Sequence, residues 1–143
     1  MSPPRRIGIV CAQFNEPITR PMREAAVKVL GDAGVTDIPI IEVPGALEIP
    51  VAALALIQRA GCDGVVAIGA VIKGETDHYE FVAGEATRGI GEVALRTGKP
   101  VGNAVLTVRE YDHALERSRP GPGNKGAEAA GAVVALATAL AEL

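Results

Sequence analysis

Short apolar runs alternate along the chain with longer segments of helical periodicity. The apolar runs are rich in Val and Ile and are bounded by turn-forming residues, which is typical of buried strands. They span residues 6–12, 38–43, 64–72 and 101–107. The intervening segments repeat apolar residues with the period of a helix, which predicts helices over residues 21–30, 50–60, 78–96 and 125–143.

This alternation predicts an α/β fold, because right-handed crossovers return each strand to the same direction and cover both faces of a parallel sheet. We expect a flavodoxin-like three-layer α/β/α sandwich with a four-stranded parallel sheet. A length of 143 residues, of which 48% are hydrophobic, predicts a single domain over residues 1–143. Only 3% of the residues are aromatic, so the core must consist of small aliphatic side chains that allow close packing.

Several residues indicate where the helices begin and end. Asp77 and Glu80 have the spacing of a capping box. Pro21 predicts that the first helix begins near that residue, since a proline ring is tolerated only within the first turn. Three glycines follow helical segments as C-caps would, namely Gly31, Gly61 and Gly98. A further short helix is predicted over residues 111–117, before a Pro/Gly loop at 119–123.

Charge and cysteine content exclude several classes of partner. The net charge of -3 provides no basic field for nucleic acid or an anionic membrane, so an anion must be held by a local site. Cys11 and Cys62 form no CxxC pair, which indicates buried free thiols in a reducing compartment. No signal-like or membrane-spanning run is present, so a cytoplasmic protein is expected. Spacings typical of metal or dinucleotide sites are absent, so neither a metal nor a cofactor is expected.

Unusual residues follow the first two predicted strands, at the edge where open α/β sheets bind ligands. Phe14 falls in a turn, where it is either a platform for a flat ring or a cap over the core. Pro44 and Gly45 predict a tight turn before the second helix. Glu48 either binds polyol hydroxyls or stabilises the positive end of that helix.

The third strand runs into the loop Lys73-Gly74-Glu75-Thr76-Asp77-His78. A glycine-containing loop before a helix exposes backbone N–H groups, which predicts a phosphate site. His78 lies in the first helical turn, where the dipole favours a neutral imidazole able to transfer protons; the alternative is a surface histidine. After the fourth strand, Arg117 and Lys125 either complete a phosphate clamp or are ordinary surface charges, and His113 has no evident partner.

Taken together, these segments resemble the lumazine synthase family over nearly the whole chain. The matching motifs are Phe14-Asn15, residues 43–50, residues 69–80 and Asn124-Lys125-Gly126, in the family's order and spacing. The resemblance implies a transferase of riboflavin biosynthesis that uses no cofactor. It condenses 5-amino-6-(D-ribitylamino)uracil with L-3,4-dihydroxy-2-butanone 4-phosphate, giving 6,7-dimethyl-8-ribityllumazine, phosphate and water in the penultimate step of the pathway.

The same resemblance implies roles for individual residues. Phe14 would stack on the pyrimidinedione, and His78 would transfer protons. Gly74, Glu75 and Thr76 would hold the phosphate, with Arg117 contacting it across a subunit boundary. Asn103 stands where a neighbouring subunit reaches the same pocket, and Lys125 with Glu128 would line it in a supporting role. The remaining contacts to the heterocycle and ribityl chain are implied for Ala46, Leu47, Glu48, Ala70, Val71 and Ile72.

The resemblance also implies a homo-oligomer with small-molecule substrates and, as a partner, riboflavin synthase. A pentamer is expected, and the uninterrupted spacing from Arg117 to Lys125 favours an icosahedral shell of twelve pentamers. The short segment before Ile7 argues against the N-terminal strand that family members lend to a neighbour. Gln13 in place of a frequent Arg, and His113 in place of Gln, are the other departures.

Two other functions fit parts of the sequence. A noncatalytic flavin or lumazine carrier would use the same pocket, but the phosphate loop and His78 favour an enzyme. A flavodoxin-like signalling domain would need an Asp at the end of a strand, and no predicted strand ends that way.

Overall fold

Four parallel strands form one sheet in the computed structural model, which describes residues 6–143. The strands are β1 (Ile7–Ala12), β2 (Ile40–Val43), β3 (Gly64–Ile72) and β4 (Val101–Val108). Their order across the sheet is β2-β1-β3-β4, and every pairing is parallel. The predicted parallel sheet is confirmed. The segment before Arg6, on which the expectation of a lent N-terminal strand rests, lies outside the described residues.

Within the described residues, five helices cover the two faces of the sheet, which confirms the flavodoxin-like three-layer sandwich. They are α1 (Glu16–Asp32), α2 (Ile49–Gln58), α3 (His78–Thr97), α4 (Tyr111–Ser118) and α5 (Lys125–Ala141). One core lies between the sheet and α1, α4 and α5, and a second lies under α2 and α3. β1 supplies both cores, because successive strand side chains point to opposite faces: Ile9 enters the first core and Val10 the second. No helix in residues 6–143 is long and apolar enough to cross a membrane.

Glycines allow α5 to approach its neighbours closely, as the scarcity of aromatic residues predicts. A Cβ on Gly126 would lie 2.2 Å from the carbonyl oxygen of Met22 in α1. A Cβ on Gly102 of β4 would lie 2.8 Å from the carbonyl oxygen of Ala129 in α5. Both distances are shorter than a carbon–oxygen contact permits, so α5 is in direct backbone contact with α1 and β4.

The start of α1 contradicts the prediction made from Pro21. The helix begins at Glu16 and contains Pro21 in its interior. Asn15 precedes it in the left-handed conformation (φ 64°), and its carbonyl accepts the N–H groups of Ile18 and Thr19 at 2.9 and 3.0 Å. The fully buried side chains of Ile18 and Met22 pack into the core on either side of the proline. Tertiary packing therefore supports a turn that lacks the hydrogen bond Pro21 cannot donate.

The predicted capping box at Asp77 is wrong. α3 does begin at His78, but the Asp77 side chain makes no capping hydrogen bond. Asp77 has helical backbone angles (φ -74°, ψ 0°) instead of the extended conformation of an N-cap. The hydroxyl of Thr76 accepts the His78 N–H instead, at 3.3 Å.

The three predicted glycine C-caps have different outcomes. Gly98 caps α3 with a φ of 69°, and its N–H donates to the Ala94 carbonyl at 2.9 Å, so this prediction is confirmed. Gly61 has a φ of 68° but lies beyond the end of α2. Gly31 lies inside α1, where the prediction is wrong, and Gly34 (φ 87°) takes the left-handed position after that helix.

Candidate active site

A cleft with a volume of about 520 Å³ opens at the carboxyl ends of β1, β2 and β3. The chain leaves β1 in one direction to form β2 and returns on the other side as β3, so this edge is the topological switch point where such sheets bind ligands. Ten of the fourteen residues predicted for the site line the cleft: Phe14, Ala46, Leu47, Glu48, Ala70, Val71, Ile72, Gly74, Thr76 and His78.

Phe14 stands at the rim of the cleft with 69% of its surface exposed. This exposure excludes the hypothesis that the ring caps the core. Its backbone N–H donates to the Pro44 carbonyl at 3.1 Å, so the turns after β1 and β2 are joined directly. An aromatic face left open beside an apolar cleft is suited to stacking against a flat ring.

Glu48 closes the turn between β2 and α2. Its Oε1 accepts the backbone N–H of Gly45 at 2.9 Å, and its own N–H donates to the Gly45 carbonyl at 3.2 Å. These two bonds form a reciprocal cap around the 3-10 turn Ala46–Glu48. The helix-end role considered for Glu48 is therefore present. Its Oε2 accepts no hydrogen bond within residues 6–143, so it is free to accept one from a ligand hydroxyl.

The loop between β3 and α3 presents donors for an anion. The Lys73 N–H ends the ladder by donating to the Val108 carbonyl at 2.9 Å. Beyond it, the N–H groups of Gly74, Glu75 and Thr76 donate to no acceptor in the described part of the chain. They precede the N-terminus of α3, whose dipole favours a negative charge. Gly74 and Thr76 line the cleft, and Glu75 does not.

His78 is the first residue of α3, is exposed, and lines the cleft beside the loop. Two further residues of α3, Tyr79 and Val82, also line the cleft and were not predicted. Val82 lies four residues after His78 and so falls on the same face of the helix. The spacing from His78 could therefore have predicted Val82 as a site residue. Pro44 and Gly45 also line the cleft, although they were not among the predicted site residues.

Three of the four other predicted site residues lie on β4, α4 and α5, away from the cleft. The Asn103 Oδ1 accepts the N–H of Val105 on its own strand at 2.9 Å. Arg117 donates to the His113 carbonyl at 2.9 Å. Lys125 forms an ion pair with Glu128 at 3.1 Å. One chain therefore supplies the walls of the cleft and the anion loop, but among residues 6–143 no Lys or Arg side chain lines the cleft.

The loop joining Arg117 and Lys125 is fixed by Asn124, which is only 2% exposed. Its Nδ2 donates to the carbonyls of Ser118 and Arg119 at 2.9 and 3.0 Å. Its Oδ1 accepts the Ala127 N–H at 3.0 Å and so caps α5. Because a buried side chain holds both ends of the loop, the spacing between α4 and α5 is determined by this one amide.

The thiols and carboxylates of the described residues do not supply a nucleophile or a metal site. Cys11 and Cys62 are both free and buried, as predicted. Burial raises the pKa of Cys62 to about 11 and also raises the pKa of Cys11, so both remain protonated near neutral pH. Within residues 6–143 no three His, Cys, Asp or Glu side chains are grouped to hold a metal ion.

Comparison with known proteins identifies relatives along almost the whole chain. Residues 4–141 match the family model described as 6,7-dimethyl-8-ribityllumazine synthase. The chain is 43% identical over 140 residues to a protein named 6,7-dimethyl-8-ribityllumazine synthase from Albidiferax ferrireducens (strain ATCC BAA-621 / DSM 15236 / T118). That similarity covers 96% of this chain and 87% of the relative.

Proposed function

Since the chain belongs to the 6,7-dimethyl-8-ribityllumazine synthase family, we infer that it acts as a lumazine synthase in riboflavin biosynthesis and propose that the cleft beside Phe14 is its active site. The observation that supports this location most strongly is the joining of two features at one sheet edge. An exposed aromatic ring borders an apolar cleft on one side, and an open anion loop leads into a helix on the other.

The two substrates would occupy opposite ends of this cleft. The pyrimidinedione ring would lie against Phe14, with the backbone of Ala46 and Leu47 and the walls formed by Ala70, Val71 and Ile72 around it. The ribityl chain would reach the free Oε2 of Glu48. The butanone phosphate would place its phosphate on the N–H groups of residues 74–76, at the positive end of α3.

The reaction needs two amines of one substrate to meet one four-carbon partner. The 5-amino group attacks the ketone of the butanone phosphate and loses water, forming a Schiff base. Removal of the C3 proton then expels phosphate, which leaves with the electrons of its C4–O bond, and the resulting enol tautomerises to a ketone at C3. The ribitylamino nitrogen attacks this new carbonyl to close the second ring, a further water leaves, and 6,7-dimethyl-8-ribityllumazine results without net oxidation or reduction.

Holding the substrates together supplies the larger share of the acceleration. Orientation of two reactants can be worth up to about 7–11 kcal/mol, whereas a positioned proton-transfer group typically gives about 10²–10⁴-fold. His78 lies between the anion loop and the apolar wall, where it can move protons during Schiff-base formation and elimination. The cleft therefore combines positioning with a proton shuttle, and neither step requires a cofactor.

We further propose that the site is completed by a second copy of the chain. No Lys or Arg side chain of the described residues lines the cleft, although a phosphate must be neutralised there, and Asn103, Arg117 and Lys125 lie outside it on β4, α4 and α5. Helix α5 also exposes apolar side chains, since Leu136 and Leu140 are 49% and 41% exposed. A pentamer would cover these side chains and deliver Arg117 to a neighbouring cleft, and twelve pentamers would form a shell able to hold riboflavin synthase.

Single-domain organisation and a cytoplasmic location complete the proposal. Two cores share one continuous sheet, which supports one domain over the whole chain. Two buried free thiols are compatible with the reducing conditions of the cytoplasm.

The decisive experiment is to mix the purified protein with both substrates and follow the fluorescent lumazine product together with released phosphate. Equal amounts of lumazine and phosphate, formed faster than in the absence of protein, are expected. Tight binding of the ribityl-pyrimidine without either product would instead identify a carrier. Light scattering on the same sample should show a pentamer or a larger assembly, and a stable monomer at micromolar concentration would contradict a site shared between copies.

A further inference from the structure

A stacking platform must hold one orientation, but Phe14 is 69% exposed, so surrounding side chains of the described residues restrict its ring little. The backbone of residues 13–15 sets the direction in which the ring leaves the chain. We propose that Gln13, Glu42 and Asn15 form a clamp that positions the Phe14 ring by anchoring the residues on either side of it; this inference rests on the function proposed for Phe14.

The first half of the clamp joins β1 to β2 and α1. Gln13 donates from Nε2 to Oε2 of Glu42 at 3.1 Å, and Arg23 of α1 donates to the other oxygen, Oε1, at 2.8 Å. The side chain of Arg23 is 25% exposed and that of Glu42 is 50% exposed, so the pair lies at the surface, with Arg23 the more sheltered partner. The hydrogen bonds from Arg23 and Gln13 hold the pKa of Glu42 below its usual range, so the carboxylate is ionised at neutral pH.

The second half of the clamp joins β1 to β3. Asn15 donates from Nδ2 to the carbonyl oxygen of Ala70 at 3.1 Å, and Ala70 itself lines the cleft. The backbone of Asn15 is left-handed (φ 64°), a conformation that Asn adopts more readily than most residues. Asn15 thus reverses the chain direction immediately after Phe14 and fixes that reversal to the cleft wall.

The two halves of the clamp act on opposite sides of Phe14. Gln13 is hydrogen-bonded to β2 and Asn15 to β3, so Phe14 lies between residues that are anchored to the two strands flanking β1. A ring held in its bound orientation needs less ordering when a ligand stacks on it, which increases affinity without adding a contact. The clamp residues are positioning residues, because none of Gln13, Asn15 and Glu42 lines the cleft.

A double-mutant cycle with Phe14 tests this proposal. The probe is 6,7-dimethyl-8-ribityllumazine, whose binding is followed by its own fluorescence. Glu42→Ala removes the shared acceptor and should weaken binding about threefold. Asn15→Gly keeps the left-handed turn, removes the side-chain bond, and should weaken binding about fivefold. In a Phe14→Ala background neither change should weaken binding further, because the clamp acts only through the ring.

Asp32→Ala is the matched control, since it breaks the exposed pair of Asp32 with Lys28 at the opposite end of α1 from residues 13–15. It should leave the affinity unchanged. The Michaelis constant for the butanone phosphate should also stay within about twofold of wild type in all clamp variants, because the anion loop is separate.

The outcomes separate the clamp from the function on which it rests. Unchanged affinity in Phe14→Ala alone would remove Phe14 from the site and overturn the proposed function of the ring. A weakened Phe14→Ala combined with wild-type affinity in Glu42→Ala and Asn15→Gly would overturn only the clamp. Equal losses with and without Phe14 would likewise overturn it. Should Asn15→Gly fail to fold, the exposed Glu42→Ala carries the test by itself.

Discussion

Replacing Glu48 separates the capping role that the structure shows from the ribityl contact that we propose for the same carboxylate. Oε1 holds the Gly45 N–H at 2.9 Å, and Oε2 is free for a ribityl hydroxyl. Glu48→Gln keeps an oxygen that can accept the Gly45 N–H, but it removes the negative charge. Glu48→Ala removes both acceptors. The difference in stability between the two variants therefore tests the capping role, and the difference in substrate affinity tests the ribityl contact.

The stability effects follow from the cap and the helix dipole. Gly45 is only partly buried, so water can replace the lost acceptor, and loss of the cap should cost about 1 kcal/mol of unfolding free energy. For a chain of this size that corresponds to a melting temperature lower by about 3–4 °C. Both variants also lose the charge at the positive end of α2, about 0.3–1 kcal/mol, so Glu48→Ala should be less stable than Glu48→Gln by the value of the cap.

The kinetic effects follow from the ribityl contact. A hydroxyl donating to a carboxylate is worth about 1 kcal/mol more than one donating to a neutral amide oxygen. Glu48→Gln should therefore raise the Michaelis constant for the pyrimidine about fivefold, and Glu48→Ala should raise it by about 10- to 100-fold. The Michaelis constant for the butanone phosphate should not change in either variant.

Thermal unfolding and steady-state kinetics with each substrate varied in turn provide the readouts. Glu80→Gln is a suitable control, because it removes a charge from the first turn of another helix and does not line the cleft. An unchanged Michaelis constant for the pyrimidine in Glu48→Ala would refute the ribityl contact. Equal destabilisation by Gln and Ala would refute the capping role.

Other predictions address the rest of the site and the fold. Arg117→Ala should raise the Michaelis constant for the butanone phosphate by about 10-fold or more, through loss of a charge-assisted contact, and an equal rise for both substrates would contradict this role. His78→Ala should lower turnover by about 10- to 100-fold with product affinity unchanged, so an enzyme that is wholly inactive but still binds would contradict the small share assigned to proton transfer. Gly126→Ala should lower the free energy of unfolding by about 1–3 kcal/mol, measured from the urea midpoint, because its Cβ would lie 2.2 Å from the Met22 carbonyl oxygen. An unchanged midpoint would show that α1 and α5 separate easily. Cys62, whose pKa burial raises to about 11, should react with iodoacetamide at pH 8 only after unfolding, and native labelling should speed up as the pH approaches that value.

The sequence predicted the layers of the fold because strong local patterns and tertiary packing agree there. The run from Gly64 to Ile72 is apolar throughout, and it forms one of the two central strands within the predicted bounds. The prediction failed at α1, where a local rule about Pro21 was outweighed by the burial of Ile18 and Met22. The predicted capping box also failed, because Asp77 and Glu80 have the required spacing but the backbone of Asp77 is helical and not extended.

The site was predictable wherever it follows a strand end, as at Phe14, Glu48 and His78. Individual side-chain bonds were not predictable. The bond from Gly45 to Glu48 depends on a turn of particular dihedral angles, and the bond from Asn15 to Ala70 spans 55 positions of sequence. The role that we propose for Arg117 was suggested by the family resemblance and not by spacing, because a contact between copies would leave no pattern of spacing within a single sequence.

The buried amide of Asn124 has a consequence for how activity depends on enzyme concentration. Because it anchors the loop between Arg117 and Lys125, these two residues would be presented to a neighbouring copy as one rigid unit in the oligomer that we propose. Association would then complete the proposed phosphate site without a separate folding step. The activity per chain should therefore follow the law of mass action: it should fall when the enzyme is diluted below the dissociation constant of the interface and return in full when the chains are concentrated again.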